Sequence, residues 1–260
     1  MIKQAPPSFI PKIQRVGDIP SPYTSVLIYG ASGVKKTLQL PTWPKIVVID
    51  VDTPQGTDER RIGGTVTLRK AAPDTRVVIV SHWTEIDPTL RHVIDLVRKG
   101  EIETIAIDSM NGMITMWQDQ HRELELGSKA QGEIDISEVM PFDFTKWTRV
   151  QQQVYSLHKR LSRENCHVVY TCQEKEDRTK DNKGQFLKAG TFSPELPSEV
   201  LRGNFPYWMH IFFRQILKQS QKNAPYWVPY HTKHTAGKCR LGDLKEEIPA
   251  SFESLKSLLE

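Results

Sequence analysis

Five short apolar runs constrain the fold of this chain more than any other feature. They are Ser25-Val-Leu-Ile-Tyr29, Lys45-Ile-Val-Val-Ile-Asp50, Arg76-Val-Val-Ile-Val-Ser81, Glu103-Thr-Ile-Ala-Ile-Asp108 and His167-Val-Val-Tyr-Thr-Cys172. Each is the length of a strand and rich in β-branched residues, and none alternates apolar with polar positions. Strands of that kind are covered on both faces, which is the signature of a parallel sheet. Helical spacing fills the intervals: Ile86, Leu90, Val93, Ile94 and Val97 within Glu85–Lys99, and Trp147, Val150, Val154, Leu157 and Leu161 within Asp143–Glu164. The expected fold class is therefore α/β, with a mostly parallel central sheet flanked by helices. Met209–Leu217 and Tyr226–His231 predict a C-terminal β-hairpin, and Phe252–Leu259 a terminal helix. Residues 109–145 read as a long, weakly periodic excursion, the stretch from Gln173 to about Gly190 as a polar loop, and the third run as a strand buried like the others. Pro6, Pro7, Pro11, Pro20 and Pro22 make residues 1–23 an extended arm before a domain spanning 24–260.

The first run leads into Gly30-Ala31-Ser32-Gly33-Val34-Lys35-Lys36-Thr37-Leu38, the strand–loop–helix context of a phosphate-binding loop. Glycines there let backbone N–H groups turn toward phosphate oxygens, and the start of a helix adds partial positive charge. In this pattern Lys36 reaches the β- and γ-phosphates of ATP and the Thr37 hydroxyl ligates Mg²⁺. Pro41 and Pro44 cut the helix short. The full motif asks for glycine where this chain has Lys35. A side chain there has three readings: it points outward harmlessly, it adds a second cation to the phosphates, or it disables the loop.

The remaining site candidates stand at strand ends. Asp108 emerges from the fourth run, at the sheet edge where open α/β sheets bind ligands, and is the second candidate for the Mg²⁺ shell. Asp50 and Asp52 emerge similarly from the second run, and either is placed to orient an attacking water. Gln173 follows the fifth run directly, where it can sense a γ-phosphate.

Composition excludes several classes. No stretch of about 18 apolar residues is present, so no membrane-spanning helix or membrane partner is expected, and the N-terminus lacks a secretory signal. Cys166, Cys172 and Cys239 have no metal or redox spacing and read as reduced thiols of a cytoplasmic protein. From Val200 to Gly242 there are seven Lys or Arg and no Asp or Glu, against a whole-chain charge of +4. Such a basic segment suits a polyanionic partner or a solvated face equally. Its interleaved aromatics (Phe205, Tyr207, Trp208, Phe212, Phe213, Tyr226, Trp227, Tyr230) suit base stacking, although most are expected in the core.

The order of these motifs resembles the RecA-like P-loop ATPases, and most closely the phage-encoded recombinases of that superfamily that assist single-strand annealing. The matching pieces are Leu27–Thr37, Val48–Asp52, Ile105–Ser109, Val168–Gln173 and Pro194–Pro197, so coverage runs from about Ser25 to the C-terminus. The resemblance implies a RecA-like core, ATP and Mg²⁺ as cofactors, and ATP-dependent binding of single-stranded DNA. It further implies a homo-oligomeric ring or filament with ATP between subunits, and a single-strand-binding protein as a further candidate partner. It places the family's water-activating carboxylate on Asp52, one methylene shorter than the usual Glu, and a trans-acting cation on Lys233, with Thr235 where relatives carry Arg. DNA-facing loops would be Met110–Pro141 and Glu174–Gly190, the latter offering Lys175, Arg178, Lys180 and Lys183 to phosphates. Two other readings stay open: a nucleotide-gated DNA-binding or assembly module with little hydrolysis, motivated by Lys35 and Asp52, and another P-loop enzyme such as a helicase-like motor or a small-molecule kinase.

Overall fold

The computed structural model describes residues 23–52, 64–126, 144–180, 186–196, 205, 208–219, 223–229 and 247–259. Along the chain run β1 (Ser25–Gly30), α1 (Lys36–Gln39), β2 (Ile46–Asp50), α2 (Gly64–Ala71), β3 (Arg76–Ile79), α3 (Ile86–Arg98), β4 (Thr104–Asp108), α4 (Met110–Leu126) and α5 (Phe144–Leu161). They are followed by β5 (His167–Lys180), β6 (Phe186–Pro194), β7 (Ile211–Lys218), β8 (Ala224–Pro229), β9 (Ile248–Pro249) and α6 (Phe252–Leu259).

The described strands form one sheet in the order β3-β2-β4-β5-β1-β7-β8-β9, with β6 pairing only with β5. Neighbours from β3 to β7 are parallel; β8 and β9 close the far edge antiparallel. β5 thus lies between β1 and β4, and β7 lies on the other side of β1. In register, Gly30 faces Gln173 and Asp50 faces Asp108, so the candidate residues at these strand ends converge on one edge of the sheet.

Alternation within the buried strands sorts side chains into two cores. Leu27, Tyr29, Ile49, Ile105 and Ile107 face α3, α4 and α5, which contribute Val93, Met113 and Val154 among others. Val26, Ile28, Val48 and Ala106 face Leu40, Trp43, Leu68 of α2 and Leu255 of α6. Burying one such aliphatic or aromatic side chain stabilises by roughly 1.5–3 kcal/mol. Phe213 and Trp227 stack across the C-terminal hairpin, ring centroids 5.2 Å apart.

The expected α/β class, the parallel sheet and the C-terminal hairpin all hold, and α1 ends where Pro41 tightens the chain into a 3₁₀ turn, Leu40–Thr42. Phe205, Phe212, Phe213 and Trp227 lie in the core, as expected for most of the aromatics of the basic segment. Three expectations are corrected. β3 is a short edge strand with Ile79 46% exposed, because burial on both faces requires neighbours on both sides and β3 has only β2. The excursion begins instead as the 17-residue helix α4, which buries Met110, Met113, Ile114 and Trp117. The polar loop after Gln173 is largely the antiparallel β5–β6 ribbon, in which Glu174 faces Pro194 and Lys180 faces Phe186. The arm over residues 1–22 lies outside the described residues.

Candidate functional site

The loop after β1 takes its shape from three backbone positions. A Cβ on Gly30 would stand 2.6 Å from the Gln215 carbonyl oxygen, so glycine is required there by the approach of β7. Gly33 has φ +82 with open space around it, so there the demand is conformational. Lys35, at the third position where the motif wants glycine, adopts φ 67, ψ 31. The left-handed region costs a non-glycine residue about 1–2 kcal/mol. Its Nζ donates to the Asn223 carbonyl at 3.2 Å, in the exposed turn between β7 and β8. Of the three readings of Lys35, the geometry matches the outward one.

Lys36 behaves differently. Its side chain is buried, and Nζ donates to the carbonyls of Gly30 and Ala31, each at 2.8 Å, inside the curve of the loop. Burial lowers its pKa, and the negative charges of Asp108, Glu174 and Asp52 oppose that. α1 is only four residues long, so the helix end adds little charge and the loop amides and Lys36 carry the attraction for an anion.

Beside the loop, Thr37 Oγ1 donates to Asp108 Oδ2 at 2.6 Å. Asp108 is itself buried at the end of β4, and its other oxygen accepts from the Thr171 hydroxyl on β5. Burial pushes the Asp108 carboxyl above the usual range, and the two hydroxyls pull it back. A hydroxyl and a carboxylate side by side are the hard oxygen donors that Mg²⁺ accepts alongside phosphate oxygens. The pair therefore fits the expected cation, with Lys36 placed for the phosphates. Among the described residues no cluster of three or more His, Cys, Asp or Glu suits a metal.

Asp52 follows β2. Burial raises its pKa, hydrogen bonding from Ser109 opposes the rise, and the Asp50 carboxylate adds to it. Its backbone N–H donates to Asp50 Oδ1 at 3.0 Å. A Cβ on Gly112 would fall 2.2 Å from Asp52 Oδ1, so the first turn of α4 needs glycine to admit this carboxylate. Gln173 stands on β5 beside Gly30. Its N–H donates to Asn111 Oδ1 at 2.8 Å, while Asn111 Nδ2 donates to the Glu195 carbonyl at 2.7 Å.

The structure thus brings together Gly30–Leu38, Asp52, Asp108 and Gln173. Lys175 is exposed on β5, and Arg178 and Lys180 belong to the same strand. Lys183 and Lys233 lie outside the described residues. Two cations of the basic segment are held within the chain: Arg214 makes a two-pronged contact with Glu174 (2.8 and 3.3 Å) and lies over Phe192, and Lys218 pairs with Glu247. Sequence reasoning passed over Thr171, Ser109, Asn111, Gly112 and Gln215. The available signal was a polar residue inside an apolar run, Thr171 within His167–Cys172, because a buried polar group implies a partner; Gln215, next to Arg214, carried no such signal.

No helix among the described residues is long and apolar enough to cross a membrane. No curated protein sequence matches the chain. Among solved structures, the KaiC-like protein PH0186 from the hyperthermophilic archaeon Pyrococcus horikoshii OT3 aligns with 87% of this chain and 84% of its own, at 13% identity and a TM-score of 0.43. The family model described as AAA domain, AAA_24, matches residues 23–241, and the chain therefore belongs to that family of P-loop ATPase domains.

Proposed function

We propose that the chain is an ATP-hydrolysing protein that binds single-stranded DNA in recombination or strand annealing. The observation that carries the ATPase part is the convergence of Lys36, Thr37, Asp108, Asp52 and Gln173 on one sheet edge. Bound beside ATP, Mg²⁺ would supply positive charge that neutralises the phosphates. Thr37 and Asp108 would hold it, and Thr171 keeps the Asp108 carboxylate turned toward Thr37. Lys36 presents its ammonium to the phosphates from inside the loop. Asp52, oriented by Ser109, accepts the proton of the attacking water. Gln173 senses the γ-phosphate, and its N–H contact with Asn111 leads that signal into α4.

The DNA part is supported by the order of motifs resembling the annealing recombinases. In this reading the β5–β6 ribbon and the segment after α4 face the strand, through Lys175, Arg178, Lys180 and Lys183. Subunits form a ring or filament with ATP between them, Lys233 reaches a neighbour's nucleotide, a single-strand-binding protein is a partner, and the location is cytoplasmic. A second reading, a nucleotide-gated assembly module with slow turnover, is motivated by Asp52, one methylene shorter than the usual Glu. ATPase assays with and without single-stranded DNA separate them. Stimulation supports the first; a slow rate unaffected by DNA supports the second.

A further inference from the structure

Gln215 is 1% exposed in the middle of β7, between Arg214 and Ile216, and both ends of its amide are engaged. The Trp227 indole N–H, which can only donate, gives its proton to Gln215 Oε1 at 3.0 Å. That fixes the amide orientation and leaves Nε2 to donate to the Val34 carbonyl at 2.7 Å. Two more contacts join the same hairpin to the same loop. The Gln215 backbone carbonyl lies against Gly30, and Lys35 Nζ reaches the Asn223 carbonyl. The phosphate loop is therefore tied to β7–β8 at its first, fifth and sixth residues.

The consequence follows from peptide geometry. In a planar trans peptide the C=O and the following N–H point in opposite directions. Drawing the Val34 carbonyl toward Gln215 turns the Lys35 N–H away from β7, and the left-handed φ of Lys35 redirects the chain into α1. We infer that Gln215, held by Trp227, is a positioning residue that sets the direction of the Lys35 amide and so the loop's affinity for the phosphates of a nucleoside triphosphate. This rests on the nucleotide reading of the loop given above. It also makes the C-terminal hairpin part of the nucleotide site without touching the ligand.

The test compares the full chain with Gln215→Glu and Trp227→Phe, measuring ATP affinity in Mg²⁺ and melting with and without ATP. Gln215→Glu keeps size and the Trp227 contact but sets an oxygen against the Val34 carbonyl; about tenfold weaker ATP binding is expected. The melting shift induced by ATP should shrink with it, which a purely structural role would leave unchanged. Should Gln215→Glu not fold, Trp227→Phe frees the amide while keeping an aromatic ring, and about threefold weaker binding is expected. Wild-type affinity in a folded Gln215→Glu, or in Trp227→Phe where only that variant folds, overturns the inference alone. Failure of the unaltered chain to bind ATP overturns the nucleotide reading together with it.

Discussion

The two halves of the candidate site are held by different means. The loop from Gly30 to Lys36 takes its shape from backbone conformation: glycine at the approach of β7, positive φ at Gly33 and Lys35, and ties to the C-terminal hairpin. The carboxylate half, Asp108 and Asp52, sits at or just beyond the ends of regular strands and is oriented by hydroxyls from Thr37, Thr171 and Ser109. A loop held by backbone strain responds to changes in φ preference and to its supporting hairpin. A carboxylate cluster held by hydroxyls responds to loss of a donor or of space.

That contrast yields graded expectations. The largest concerns space in the carboxylate half. Gly112→Ala drives a Cβ into Asp52 Oδ1, and kcat for ATP should fall about 100-fold, as expected for displacement by roughly an ångström. ATP affinity should change little, and a loss of affinity without loss of kcat would blur the distinction between the halves. Next is Thr171→Val, which preserves shape but leaves a buried Asp108 oxygen without its donor. It should destabilise the chain by about 1–3 kcal/mol in denaturant unfolding. The smallest effect has the opposite sign. Lys35→Gly relieves the left-handed strain, offset by greater freedom of the unfolded chain, and should stabilise by about 0.5–1 kcal/mol. A destabilised Lys35→Gly would mean that the Asn223 contact outweighs the strain.

Local chemistry explains what was legible in the sequence. β1, β2, β4 and the first half of β5 are continuous apolar runs, and the residues at or just beyond the ends of those runs (Gly30, Asp52, Asp108 and Gln173) could be read directly. What escaped depends on distant partners. β3 has the composition of a buried strand, and only its place at the sheet edge exposes it. The second half of α4 lacks apolar periodicity because Gln120 and His121 meet Gln153 of α5 through hydrogen bonds. The β5–β6 ribbon continues past the apolar part of β5 as polar residues paired by backbone, which leaves no alternation to detect. Lys35 stood out as a departure from the motif, but its outward direction is set by Asn223, 188 residues away.

The most direct measurement of the central claim is calorimetric titration of ATP with Mg²⁺ into the intact chain and into Lys36→Ala. Removing the ammonium that Gly30 and Ala31 hold inside the loop should weaken binding at least 100-fold while leaving the fold unchanged by circular dichroism. Equal affinity in the two proteins would contradict the assignment of Gly30–Thr37 as the phosphate site.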